Sequence, residues 1–243
     1  MSLRCGIVGL PNVGKSTLFN ALSNAGAESA NFPFCTIDPN VGLVPVPDDR
    51  LTKLCELVNP ASQIPASIEF VDIAGLVKGA SEGKGKGNAF LSHIREVDLI
   101  IHVVRCFDDD DIIHVEGDVN PQRDIRIIED ELILKDLESV EKRLTNLQKQ
   151  AKSGDKSLKA AVAVVEKVKN HLEDGNTARS LLLSEDEKDV IRDLFLLSSK
   201  PVLYACNVGE NDLNSGNAYV DEVKQVAAVH EDETVMFCAK IEA

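Results

Sequence analysis

The segment Gly9-Leu-Pro-Asn12-Val13-Gly14-Lys15-Ser16-Thr17 sets two glycines, an ammonium group and two hydroxyls in the spacing G-x-x-x-x-G-K-[ST]. Glycines let the backbone wrap an anion, so the amides from Asn12 to Thr17 point inward at phosphate oxygens. The helix that starts here adds the positive end of its dipole. Lys15 is placed to reach the β and γ phosphates of a nucleotide, where it also serves catalysis, and Ser16 to offer its hydroxyl to Mg²⁺. Further along, Asp72-Ile-Ala-Gly75 has the D-x-x-G form of a nucleotide switch. Asp72 is expected to hold the metal through water, and the Gly75 amide to sense the γ phosphate. Thr36 stands where a hydroxyl can complete the metal shell, and magnesium favours hard oxygen ligands of this kind.

A third segment bears on the base. Guanine-specific switches carry N-K-x-D, whose Asp accepts the N1–H and N2–H₂ donors of guanine together. This chain has Asn207-Val208-Gly209-Glu210. Glu210 is one methylene longer, and Val208 lacks the Lys stem that stacks on the base. Weakened guanine selectivity and a preference for ATP follow as expectations. After Gly75, where related GTPases often place a water-orienting Gln, stands Leu76, which cannot orient water.

The elements that must position these residues are legible as alternating apolar runs and helical periods. Leu3 to Gly9 reads as a buried strand and Lys15 to Ala25 as a helix with Leu18, Phe19 and Leu22 on one face. Val41–Val46, Ala66–Ile73, Asp98–Arg105, Pro201–Asn207 and Thr234–Ala239 read as further strands, and Asn88–Glu96 as a helix. This is an α/β pattern: a P-loop, Ras-like G domain with a mostly parallel sheet and helices on both faces. From about Asp124 to Ser199 no strand is expected. Ile125, Ile128, Leu132, Leu137, Val140, Leu144 and Leu147 recur at helical spacing, Gly154 and Asp155 interrupt, and Ser157–Leu172 forms a second helix. A third follows Ser184, which makes a capping box with Glu187. The expected organisation is a first part of the G domain over 1–120, an inserted helical coiled-coil hairpin over 121–199, and a second part of the G domain over 200–243.

Composition bounds the partners. The chain has 243 residues and a net charge of −14, which argues against general coating of DNA or of an anionic membrane. No apolar run reaches the ~18 residues of a membrane span. None of the six cysteines forms a CxxC pair, and buried thiols in a reducing cytoplasm are expected. Between Lys142 and Lys169, by contrast, the charge is +6. That places a basic tip on the hairpin, suited either to RNA phosphates or to simple solvation.

Together these motifs resemble the Obg-like ATPase (YchF) family, on the Obg-related branch of translation-factor GTPases. The resemblance rests on residues 9–17, on Asn-Phe-Pro-Phe-Cys-Thr-Ile-Asp-Pro-Asn at 31–40, on Phe-Val-Asp-Ile-Ala-Gly-Leu-Val at 70–77, on His-Val-Val-Arg-Cys-Phe at 102–107 and on Asn207 and Glu210. It spans the whole chain. It implies slow hydrolysis of ATP in preference to GTP, binding to the ribosome, with the large subunit expected, a cytoplasmic monomer, and a C-terminal TGS domain. Ala243 follows closely on Cys238-Ala239-Lys240, which resembles the last base loop with Ala239 and Lys240 at the base. The chain is therefore expected to stop short of the final G-domain helix and the TGS domain, which would share ribosome contact with the basic tip. The resemblance also points to His114 as the residue that orients the attacking water. It makes Asn12 a candidate for holding K⁺ near the phosphates, with a plain turn role as the alternative. Oxidation of Cys35 would disturb the neighbouring Thr36, unless Cys35 is an inert small residue. Two other readings stay open: a GTP-specific switch, and a non-catalytic module that nucleotide opens to a partner.

Overall fold

A computed structural model describes residues 2–29, 40–73, 87–152 and 155–242, with side chains except at 24–29 and 87–90. Thr36, Gly75, Leu76 and Cys35 lie outside the described residues. The strands are β1 (Leu3–Val8), β2 (Val41–Pro45), β3 (Ser67–Asp72), β4 (Leu99–Cys106), β5 (Val202–Val208) and β6 (Glu233–Phe237). They form one sheet in the order β2-β3-β1-β4-β5-β6, parallel except for the antiparallel edge pair β2–β3. Near-continuous apolar runs such as Ile7-Val8 and Val103-Val104 are buried, as the central strands of a parallel sheet must be.

Register decides where the chemistry converges. Ile7 lies opposite Asp72, Val8 opposite His102, and Arg105 opposite Asn207. The carboxyl ends of β1, β3, β4 and β5 therefore share one edge, where open α/β sheets bind ligands. Helix α1 (Lys15–Ser29) leaves this edge directly from the glycine-rich loop and runs four residues past its expected end.

Besides a short helix at the end of the described residues, two helices exceed the expected set. In α2 (Asp49–Val58) the Asp48 side chain caps the Arg50 amide, and none of the helix residues is buried. The other, α7 (Ala218–Val229), is capped by Asn217 on the Val220 amide and buries Val220, Val223 and Ala227. Helix α3 (Gly87–Glu96) begins close to its expected start. Strand β6 ends at Phe237, two residues before the expected Ala239, because Ala239 opens the short helix α8 (Ala239–Glu242).

The helical stretch has a core of its own. Helix α4 (Pro121–Ala151) starts with Asn120 capping the Arg123 amide and Pro121 in the first turn. Its first turns bury Ile125, Ile128 and Leu132 in the sheet core. Farther on, Ile133, Val140 and Leu147 pack with Val165, Val168 and Leu172 of α5 (Lys156–Glu173) in a second cluster. Each such side chain contributes about 1.5–3 kcal/mol by leaving water. The capping box of Ser184 and Glu187 forms as expected and starts α6 (Glu185–Ile191).

Two buried polar clusters tie the units. Asp136 of α4 accepts from the Leu197 amide (2.7 Å), the Ser198 amide (2.8 Å) and the Ser198 hydroxyl (2.6 Å). Arg179 reaches Glu129 of α4 at 2.7 Å, Asp232 before β6 at 3.3 Å and the Tyr204 hydroxyl of β5 at 3.3 Å. Breaking one partner of such a cluster leaves buried charge uncompensated.

Candidate functional site

The phosphate side is assembled by short bonds among the expected residues. Lys15 is buried and donates to the Leu10 carbonyl at 2.7 Å, so its ammonium lies inside the loop. Burial lowers its pKa, and the Asp72 carboxylate partly offsets this. Ser16 Oγ donates to Asp72 Oδ2 at 3.2 Å. A hydroxyl and a carboxylate thus converge beside the loop, a hard-oxygen donor set that fits Mg²⁺. Gly14 has φ +100°, and a Cβ there would stand 2.5 Å from Asn207 Nδ2, so both conformation and space require glycine. Asn12 adopts φ +62°, a left-handed conformation that Asn tolerates.

Asn207, expected at the base, bridges two backbone groups. Its Nδ2 donates to the Val13 carbonyl at 3.0 Å, and its Oδ1 accepts from the Ala239 amide at 3.0 Å. The buried amide thereby staples the phosphate loop to the start of α8. Beyond it opens a cavity of about 970 Å³ lined by Gly14, Thr17, Phe107, Asn207, Val208, Glu210, Asn211, Ala239 and Lys240 among others. Glu210 and Lys240 meet on its rim at 2.9 Å, both largely exposed. The opposite wall is the loop after β4, where Asp108, Asp109 and Asp111 face the cavity.

That wall is shaped by Arg105, a residue without an expected role. It is buried and donates to three carbonyls: Phe107 (3.0 Å), Ile112 (2.8 Å) and Asp109 (3.1 Å). Its guanidinium also sits 4.7 Å from the Phe107 ring centre. The clue was available, since an arginine inside a buried strand must find partners. Below the phosphate loop, His102 is held neutral, its pKa pushed down to about 3 by burial and by the charges of Arg179 and Lys15.

His114, expected to offer an imidazole lone pair to water, is buried and does not line the cavity. Nε2 lies 2.8 Å from Asp124 Oδ2, and Nδ1 accepts from the Glu116 amide at 3.1 Å. Both nitrogens are taken, so in this arrangement His114 cannot accept a bond from water. Its neighbour Ile113 gives its carbonyl to Asn12 Nδ2 at 3.1 Å, which links this loop to the phosphate loop.

The basic tip is also smaller than its charge count. Arg143 pairs with Asp193, Lys167 with Glu187, and Lys169 with Glu141 and Glu173. Lys142, Lys149, Lys152, Lys156 and Lys159 remain exposed and without ion pairs among the described residues, the last four gathered about the hairpin turn.

Comparison with known proteins gives the family. A family model described as "50S ribosome-binding GTPase" matches residues 4–152. The chain is 56% identical along its whole length to the ribosome-binding ATPase YchF of Bacillus subtilis. It belongs to the YchF family of Obg-like ATPases. Obg-like ATPase 1 of Xenopus laevis is 52% identical over 92% of the chain and 58% of that protein. The solved Schizosaccharomyces pombe YchF GTPase superposes with a TM-score of 0.85 at 46% identity, over 99% of this chain and 66% of that one. The chain spans about two thirds of the length of the relatives it matches, 67% for the Bacillus protein. Among the described residues no helix is long and apolar enough to cross a membrane.

Proposed function

We propose that the chain binds and slowly hydrolyses ATP, in preference to GTP, as a magnesium-dependent switch that acts on the ribosome. The observation that carries the base preference is the Glu210–Lys240 pair at 2.9 Å. A guanine reader needs a free carboxylate for two ring donors, whereas this one is neutralised by an ammonium. Asn207 spends one N–H and one lone pair on its staple, and with Glu210 paired the rim offers guanine no free carboxylate. Titration calorimetry with ATP and GTP in Mg²⁺ tests the reading, and tighter binding of GTP would overturn it.

Ser16 and Thr36, with Asp72 acting through water, would hold the metal, and bound Mg²⁺ would neutralise charge on the β and γ phosphates. The amides from Asn12 to Thr17, Lys15 and the Gly75 amide cradle those phosphates. Val208, Ala239, Lys240 and the aliphatic part of Glu210 border the base. Asn12 keeps its side-chain oxygen without a partner among the described residues, which suits the K⁺ role. Equal turnover in sodium and potassium buffers would remove it. His114 orients the attacking water once it leaves its present bonds. His114→Ala is expected to bind ATP normally and to lose 10-fold or more in turnover. The four free lysines of the hairpin turn supply the ribosome contact, on the large subunit. Replacing them with glutamate should weaken ribosome binding and flatten its salt dependence. A cytoplasmic monomer fits this role.

A further inference from the structure

The bonds that hold His114 are not equivalent. On one side is Asp124, buried in the first turn of α4 between residues packed into the sheet core. Its second oxygen accepts from Arg123 at 3.0 and 3.2 Å, and Arg123 is itself braced on Asp118 Oδ1 and the Asp118 carbonyl, both at 2.6 Å. The carboxylate is therefore fixed from behind. On the other side is a surface loop. Ile113 is 78% and Val115 47% exposed, and Gly117 has φ +92° with open space about its Cα. Beyond Arg105, this loop is tied to the phosphate loop by the Asn12–Ile113 bond, to α7 by the Tyr219 hydroxyl on Asp108, and to α4 by Arg123 on Asp118. The anchor is buried in a helix, whereas Ile113 and Val115 on either side of His114 are exposed.

We propose that Asp124 is a positioning residue that stows His114, holding the imidazole out of the nucleotide cavity until the loop after β4 is displaced. The Glu116 amide on Nδ1 makes Nε2–H the donor to Asp124, so the stowed ring is one defined tautomer. The Asn12 bond places the release where nucleotide arrives, because Asn12 belongs to the phosphate loop. The inference rests on the reading of His114 as the water-orienting residue, and it assigns the restraint on that residue.

The test uses the whole chain, without nucleotide and then with Mg²⁺ and ATP. Diethyl pyrocarbonate modifies exposed imidazole, and peptide mass spectrometry separates His114 from the other four histidines. A bond to a charged acceptor is enough to change the released fraction about tenfold. Asp124→Ala should therefore label His114 about tenfold faster than wild type and raise unstimulated ATP turnover by about the same factor, with KM within about twofold. The gain in turnover should vanish in Asp124→Ala/His114→Ala. Asp124→Asn, which keeps an oxygen acceptor, should fall between, and it carries the labelling test if the alanine variant fails to fold by circular dichroism. Unchanged labelling of His114 in a folded variant would overturn the stow. A tenfold fall in turnover would also overturn it, because Asp124 would then be supporting the active ring. Faster labelling with unchanged turnover would uphold the stow and sink the water-orienting reading of His114 instead.

Discussion

The phosphate side of the cavity and the loop after β4 share one sheet edge, yet they are prepared to different degrees. Lys15, Ser16, Asp72 and Asn207 already stand in bonds that gather them about the loop proposed to take phosphates and a cation. His114 is equally well bonded, but to Asp124 and the Glu116 amide, away from the cavity. On the proposed reading, binding geometry is built into the resting chain, while hydrolysis geometry needs a change of partners. That division suits a switch, because a preorganised binding loop gives affinity and a restrained catalytic group keeps the bound state long-lived.

The contrast can be broken or sharpened by substitution. The largest effect is expected from Asn207→Ala, which leaves the Val13 carbonyl and the Ala239 amide unpaired in a buried place. It should cost about 3 kcal/mol in urea denaturation, because each orphaned group carries its desolvation penalty. A change below about 1 kcal/mol would mean the staple does not organise the phosphate side. Lys15→Ala should weaken ATP binding about 100-fold in calorimetry through the loss of charge-assisted bonds. Retention of near-native affinity would show the loop amides suffice alone.

A third effect is read in pH. The folded pKa of His102, about 3, lies below its unfolded value near 6.5. The unfolded chain therefore takes up the proton first, and stability falls as pH drops through that window. Between pH 7 and pH 5 the wild type should lose about 2 kcal/mol more than His102→Phe. Equal losses would mean that the positive ground beneath the phosphate loop is not felt there. The smallest effect is expected at the rim. Separating Glu210 from Lys240 by Lys240→Ala should change ATP affinity less than about threefold, as exposed pairs contribute little. A simultaneous gain in GTP affinity would sharpen the view that the pair masks an acceptor.

What could be read beforehand follows the range of each interaction. The phosphate loop and its flanking strand and helix are local patterns, and so are the caps at Ser184 and Asp155. The staple of Asn207 joins positions 194 residues apart, and no local pattern carries it. Two buried charges left a trace. Asp136 falls on the apolar stripe between Leu132 and Val140, and Arg105 stands within a buried strand, so each had to find partners that only the fold supplies. The orientation of His114 left none, since it depends on one loop amide and one carboxylate in the next helix. Helix α2 was hidden for another reason: with no buried residue, it has a cap and an amphipathic period but no core partner to announce it.

Helix α4 deserves a mechanical reading. At 31 residues it is about 45 Å long. Its first three turns are clamped in the sheet core and its far end reaches the lysines of the hairpin turn. The part packed in the sheet core is roughly 17 Å and the part beyond it roughly 28 Å. Asp124 sits at the root of that span and the lysines of the hairpin turn at its tip, so a load taken by the lysines enters the sheet core along the helix that carries the carboxylate gripping His114.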